Sequence, residues 1–163
     1  MGSEMCIRDR VSWGMDEGTA RRLADAGVGA IDVAGAGGTS WTEVERRRAT
    51  NEHLANIAGT FLEWGIPTAE SILLAAKGAP QLPIIASGGL RSGLDSAKCI
   101  ALGATLTAMA SPYLKAATVS TEAVVGRLRE TIEELSIAMF CLGLTRLEQL
   151  HGTPLLLRTT EMA

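Results

Sequence analysis

The residues best suited to chemistry lie in two glycine-rich stretches. In Ser87-Gly88-Gly89-Leu90-Arg91-Ser92-Gly93, two adjacent glycines follow the apolar run Pro83 to Ala86. Lacking Cβ atoms, they let backbone N–H groups come close to an oxyanion. A helix starting just after them would add the positive end of its dipole. Phosphate is the anion this arrangement suits. An ordinary strand-to-helix turn also uses glycine, so the motif alone leaves both readings open. In Gly35-Ala36-Gly37-Gly38-Thr39-Ser40-Trp41, glycines at positions 35, 37 and 38 carry a cost in chain entropy. That concentration fits unusual backbone angles or close approach to a ligand, with the Thr39 hydroxyl as a donor. A flexible connector is the alternative.

Other candidate residues read more plainly. Asp32 interrupts an apolar strand, either facing a site or pairing with a backbone or arginine donor, and the structural role is preferred. His53 and His151 are far apart with no acidic neighbours, so neither makes a metal-ligand spacing. Both read as surface or packing residues. Arg46-Arg47-Arg48 reads as a solvated helix face. Cys99 and Cys141 fall at apolar helix positions and read as core. There is no nucleophile elbow, no P-loop and no zinc-protease motif.

These loops need strands and helices to carry them. Asp16 is placed to cap a helix over 17–26, which Gly27 ends. Ala30 to Val33 reads as a buried strand leading into the first glycine loop. Polar helix follows through Arg48, then a longer helix over about 54–64, and another from Pro67 to Gly78. Pro83 to Ala86 is a second strand, followed by the second glycine loop and a helix to Leu102. Ala104 to Met109 is a third strand, ending at Ala110-Ser111-Pro112. Helix then covers about 121–142 and 146–150. Strand, glycine loop and helix in repeated succession predict an α/β fold with parallel strands. The strands are almost wholly apolar, as strands covered on both faces must be.

Composition narrows the field. With 163 residues, 47% of them hydrophobic and 20% charged, the chain suits one compact domain, not a disordered or fibrous one. A net charge of −3 gives no electrostatic reason to expect nucleic acid or an anionic membrane surface. No apolar run reaches the roughly 18 residues of a membrane span. Three widely spaced cysteines, Cys6, Cys99 and Cys141, make no disulfide framework and favour a reducing, cytoplasmic setting. Residues 1–10 lack apolar periodicity and a signal-peptide core. They read as a foreign or unstructured segment, with the fold beginning near Val11 and a C-terminal tail over 155–163.

The two glycine loops, taken with Phe61-Leu62-Glu63-Trp64-Gly65-Ile66-Pro67-Thr68 between them, resemble the type 2 isopentenyl-diphosphate isomerases, the FMN-dependent class, in residues, order and spacing. The resemblance runs from about Val11 onward and covers the C-terminal half of that family only. It implies a (β/α)8 TIM barrel of which this chain supplies strands six to eight with their helices, an incomplete barrel. It implies flavin-nucleotide contacts from Ala34 and Thr39, and a phosphate held by Gly88, Gly89, Leu90 and Arg91 on one side and by Ala110 and Ser111 on the other. It further implies FMN as cofactor, NADPH as its reductant and Mg²⁺ on a small diphosphate substrate. The reaction implied is interconversion of isopentenyl and dimethylallyl diphosphate in isoprenoid biosynthesis, by a homo-oligomer when intact.

The family pattern also shows what this sequence lacks. A lysine at the end of strand five should fall near Asp9 or Arg10, and none is there. The family's substrate-gripping basic residues, its His-Leu-Asn segment and the Gln and Glu near Mg²⁺ have no counterpart. A truncated gene product or an assembly break is the expectation, and an isolated chain without isomerase activity. Three strands cannot close a barrel of eight. Ile31, Val33, Ile84 and Ile85 are therefore expected to lose an opposite wall, leaving the chain poorly stable alone, or paired with a copy or a complementary half. A hydroxy-acid dehydrogenase of the same cofactor class is the rival enzyme. Its histidine beside a Gly-Gly-Arg run is missing, since no histidine lies between His53 and His151. A non-catalytic FMN- or phosphate-binding remnant is the third reading.

Overall fold

The computed structural model describes residues 7–9 and 13–156. In chain order the elements are β1 (Ile7–Asp9), α1 (Glu17–Asp25), β2 (Ala30–Asp32), α2 (Trp41–Arg48), α3 (Glu52–Gly59) and α4 (Thr68–Gly78). After them come β3 (Ile84–Ala86), α5 (Gly93–Ala101), β4 (Leu106–Thr107), α6 (Ser111–Ala117), α7 (Thr121–Cys141) and a 3₁₀ turn, Leu147–Leu150. The strands form one sheet in the order β1-β2-β3-β4, every neighbouring pair parallel. This is the α/β architecture expected from the strand–loop–helix succession.

The sheet has one strand more than the sequence reading gave it. Ile7–Asp9 pairs in parallel with Ala30–Asp32, ahead of the expected start at Val11. Segment 1–10 is therefore not wholly outside the fold. The physical reason is hydrogen bonding: β2 has a free edge whose N–H and C=O groups need partners. Unlike β2 and β3, Ile7–Asp9 is mostly charged, so it carries no apolar run to read. Val11 itself, the rest of segment 1–10 and most of the expected tail lie outside the described residues.

Capping fixes where the helices begin. The Asp16 carboxylate accepts the Thr19 N–H at 2.9 Å, as its position predicts. Thr19 also holds that carboxyl below its ordinary range, its hydroxyl contributing most and its amide next. Ser40, Asn51, Ser92 and Ser120 cap α2, α3, α5 and α7 in the same way. Pro67 is the N-cap of α4, one residue outside the helix it was expected to start. The helix expected over 54–64 is shorter and earlier, because Asn51 sets its start and the chain breaks into turns after Gly59. α2 and α3 pack chiefly against each other, as α1 does against α4 and α5 against α7.

The pleat of the strands sorts their side chains. Ile31 and Val33 are fully buried and Ile84 nearly so, in a core with Met15, Ile72, Ala75 and Ala86. Partners across the sheet share a face. Asp32, Ile85 and Leu106 therefore form one row on the opposite side, and Leu106 there is 58% exposed. The expectation of a missing wall is corrected for Ile31, Val33 and Ile84, which pack in the helix-covered core. It holds on the face of Ile85. A smaller cluster of Ala97, Ile100 and Leu150 lies under α7. A buried bracket ties the start of the fold to α4: the Ser71 hydroxyl accepts the Met15 N–H and donates to its carbonyl at 3.1 Å.

The cysteines divide. Cys99 is buried in the core, whereas Cys141 is exposed, contrary to its expected packing role. Burial, with Asp95 adding to it, pushes the Cys99 thiol up to about 11 from its ordinary 9.0. The unfolded chain therefore loses this proton first, and folded stability declines as pH rises from about 9 through 11. Alkylation with iodoacetamide at pH 8, read by peptide mass mapping, is expected to label Cys141 within minutes and Cys99 only after unfolding. Equal labelling of the two would contradict the packing described.

Candidate functional site

The site grows from the C-terminal ends of β2, β3 and β4. At the end of β2 the Asp32 carboxylate turns back on the backbone. Its Oδ1 accepts the Ala34 N–H at 3.1 Å and the Ser87 hydroxyl from the end of β3. Asp32 thus has the structural role preferred for it. Ala34 takes a left-handed φ of +39°, which turns the chain out of the strand. The Gly35 N–H then donates to the Ser87 carbonyl at 2.9 Å, and the Ala36 N–H to Ile66 at 2.9 Å. The Thr68 hydroxyl donates to the Gly88 carbonyl at 2.6 Å.

Between the two loops there is no room for side chains. A Cβ on Gly88 would lie 2.1 Å from the Gly35 carbonyl oxygen, and one on Gly89 only 1.9 Å from that of Gly37. Gly88 and Gly89 also take φ values of +103° and +84°. The glycines therefore serve backbone-on-backbone packing as well as conformation. The flexible-connector reading of residues 35–41 does not fit this interlock.

Around the joined loops lies a cleft of about 760 Å³. Ala34, Thr39, Gly88, Gly89, Leu90, Arg91, Ala110 and Ser111 all line it, so the structure brings every expected site residue to one place. Trp41 and Met109 add an apolar wall. Among the described residues, the amides of Gly89, Leu90, Ala110 and Ser111 donate to no protein acceptor. The Arg91 guanidinium likewise has no carboxylate partner among the described residues. Unpaired N–H groups from two loops, with one free cation, suit an anion with several oxygens.

The start of α5 differs from the simplest expectation. Its Gly93 N–H donates to Glu134 at 2.6 Å, and its Asp95 N–H donates to Ser92 at 3.1 Å. The Arg91 N–H is taken by Asp95 at 3.0 Å. Protein groups already engage these amides, so anion-binding capacity rests on the preceding loop more than on the helix end.

Residues outside the cleft fall as the sequence suggests. His53 and His151 are exposed. Arg46 and Arg47 both bind Glu43, at 2.6 and 2.7 Å. Arg46 first and Arg47 second hold the Glu43 carboxyl down at about 2. Among the described residues no group of three or more His, Cys, Asp or Glu side chains is arranged to hold a metal. No described helix is long and apolar enough to cross a membrane. The sequence reading missed three residues of α7, Arg127, Thr131 and Glu134, two of which bind the second glycine loop. Their loop partners lie 36 and 41 residues away, so no local spacing marks them.

The sequence profile of the FMN-dependent dehydrogenases matches residues 15–157. The chain belongs to that family. Its relatives include proteins named isopentenyl-diphosphate delta-isomerase. That of Stutzerimonas stutzeri is 50% identical over 146 residues, covering 90% of this chain and 42% of the relative. That of a Synechocystis species is 46% identical over 149 residues, covering 91% of this chain and 43% of the relative. The chain thus spans about two-fifths of the length of the curated relatives it matches. A crystal structure of mandelate oxidase superposes with a TM-score of 0.63 at 24% identity, over 85% of this chain and 35% of that one. That likeness shows a shared fold. The expected α/β class and the expected family resemblance are both borne out, and FMN is the cofactor the family description carries.

Gly89 and Gly27 separate the two roles of glycine. Both have positive φ, +84° and +81°, but nothing lies within 4 Å of a Cβ on Gly27. Gly27→Ala is expected to cost about 1–2 kcal/mol, the left-handed penalty alone. Gly89→Ala should cost roughly 3 kcal/mol or more, because a clash with backbone is added. Urea unfolding of the two variants measures the difference, and equal midpoints would mean that the loops do not interlock.

Proposed function

We propose that this chain is the phosphate-gripping part of an FMN-dependent isopentenyl-diphosphate isomerase, acting with the part of the protein its relatives have and this sequence does not. The observation that carries the reading is the pair of backbone loops with unpaired amides around one cleft. The 45–50% identity to proteins of that name points the same way. On this reading β2, β3 and β4 are strands six, seven and eight of a barrel, and β1 is the fifth.

The residues divide the work. The amides of Gly89 and Leu90 meet the phosphate from one side, and those of Ala110 and Ser111 from the other. The Gly88 carbonyl, fixed by Thr68, sets the turn that aims the first pair. The Arg91 guanidinium balances charge at the mouth. Thr39 offers its hydroxyl to the nucleotide, and the backbone turn at Ala34 brings the chain alongside it. Trp41 and Met109 exclude water from the apolar side. When bound, FMN supplies the proton chemistry at the allylic carbons. NADPH as reductant, Mg²⁺ on the diphosphate, a cytoplasmic setting and a homo-oligomer of the longer protein belong to the same proposal. On this reading the chain carries no catalytic residue, since β1 ends at Asp9 where the family pattern has lysine.

The rival oxidation of hydroxy acids lacks support from the residues, because the cleft contains no histidine. Joining residues 13–163 to the preceding part of the Stutzerimonas relative provides the test. The chimera is expected to bind FMN and, once reduced, to interconvert the two C5 diphosphates. Ala110→Asp should weaken FMN by about tenfold or more, by setting a carboxylate against the phosphate. A chimera that folds but binds no FMN, or that oxidises 2-hydroxy acids instead, would overturn the reading.

A further inference from the structure

Arg127, Thr131 and Glu134 lie on one side of α7, separated by one turn each. All three are half-buried, and none lines the cleft. Arg127 Nη2 donates to the Arg91 carbonyl at 3.0 Å. Glu134 Oε2 accepts the Gly93 N–H at 2.6 Å. The second glycine loop is thus held on both sides of Ser92 by one helix. The contact is intimate, because a Cβ on Gly93 would lie 2.2 Å from the Thr131 carbonyl oxygen. Thr131 Oγ1 accepts the Tyr113 hydroxyl at 3.0 Å, and Tyr113 is in the first turn of α6, two residues after Ser111. The Thr131 hydroxyl in turn donates to the Arg127 carbonyl at 3.0 Å.

One polar stripe therefore touches the structures that follow both β3 and β4. Glycine-rich backbone grips an anion well only if its amides are held at a fixed spacing before the anion arrives. Charge matters as well. Glu134 brings a carboxylate to the second loop, and Arg127 lies 3.7 Å from it and 2.8 Å from Glu130 on the same helix. Without that guanidinium the loop would face uncompensated negative charge.

We infer that Arg127, Thr131 and Glu134 are positioning residues that fix the separation of the two phosphate-facing loops and so set the preference for a phosphorylated flavin over the unphosphorylated one. The inference rests on the FMN reading above and adds residues that the cleft itself does not contain. The riboflavin part of a flavin does not need the loops held in this way, so the effect is confined to the phosphate.

The test compares FMN with riboflavin by quenching of flavin fluorescence, in the chain and in the chimera described above. Arg127→Met and Glu134→Ala are expected to weaken FMN about tenfold and to leave riboflavin within about twofold. Arg127→Lys and Glu134→Gln, which keep the cation and the acceptor, should restore most of the FMN affinity. Hydrogen exchange without flavin supplies a second measurement. Peptides covering 87–93 should exchange faster in Arg127→Met and Glu134→Ala, while those from α1 and α4 stay unchanged. Equal weakening of both flavins, or no weakening in either variant, overturns the inference. So does unchanged exchange at 87–93. A wild-type protein that takes up neither flavin overturns the functional reading and the flavin preference with it, and the exchange data then decide whether α7 holds the loop.

Discussion

Everything at this site depends on two stretches of backbone touching without side chains between them. Carbonyl oxygens of Gly35 and Gly37 occupy the space where Gly88 and Gly89 would carry Cβ atoms. Contact this close pins two loops that glycine would otherwise leave free. Asp32 and Thr68 then brace the contact from either side, one through Ser87 and one through the Gly88 carbonyl. The conformational cost of so much glycine is met by packing rather than by a ligand alone.

That packing has a directional result. With carbonyls of the first loop turned into the contact, the amides of Gly89 and Leu90 are left without acceptors among the described residues, as are those of Ala110 and Ser111. Unpaired donors next to one another favour an anion, and the phosphate of FMN is the one proposed for them. The helix after the loop contributes less than its position suggests. Its first amides are spent on Glu134 and Ser92, so α5 anchors the loop to α7.

How far the sequence reveals this depends on range. Short-range chemistry is legible: Asp16 as a cap, the buried strands around Ile31 and Ile84, and the glycines as the place to look. So is the gathering of Ala34, Thr39 and the residues near Gly89 and Ala110, because each sits at the end of a parallel strand and strand ends share one edge of the sheet. What escapes is set by partners far away in the chain. Ile7–Asp9 is a strand only because β2 has an edge to complete. Which face of Ile84 or Ile85 is covered depends on the pleat, and an all-apolar strand carries no alternation to read. Arg127 and Glu134 lie 36 and 41 residues from their partners in the loop, beyond the reach of any local pattern.

The pairing of α2 with α3 has an evolutionary side. These helices leave the sheet after the first glycine loop, pack chiefly on one another, and return at Pro67 to start α4. Such a self-contained excursion can be lengthened, shortened or exchanged between lineages without disturbing the strands. Trp41, at its root, still borders the cleft. Diversification of this hairpin would thus reshape the approach to the pocket while the interlocked glycine loops beneath it stayed the same.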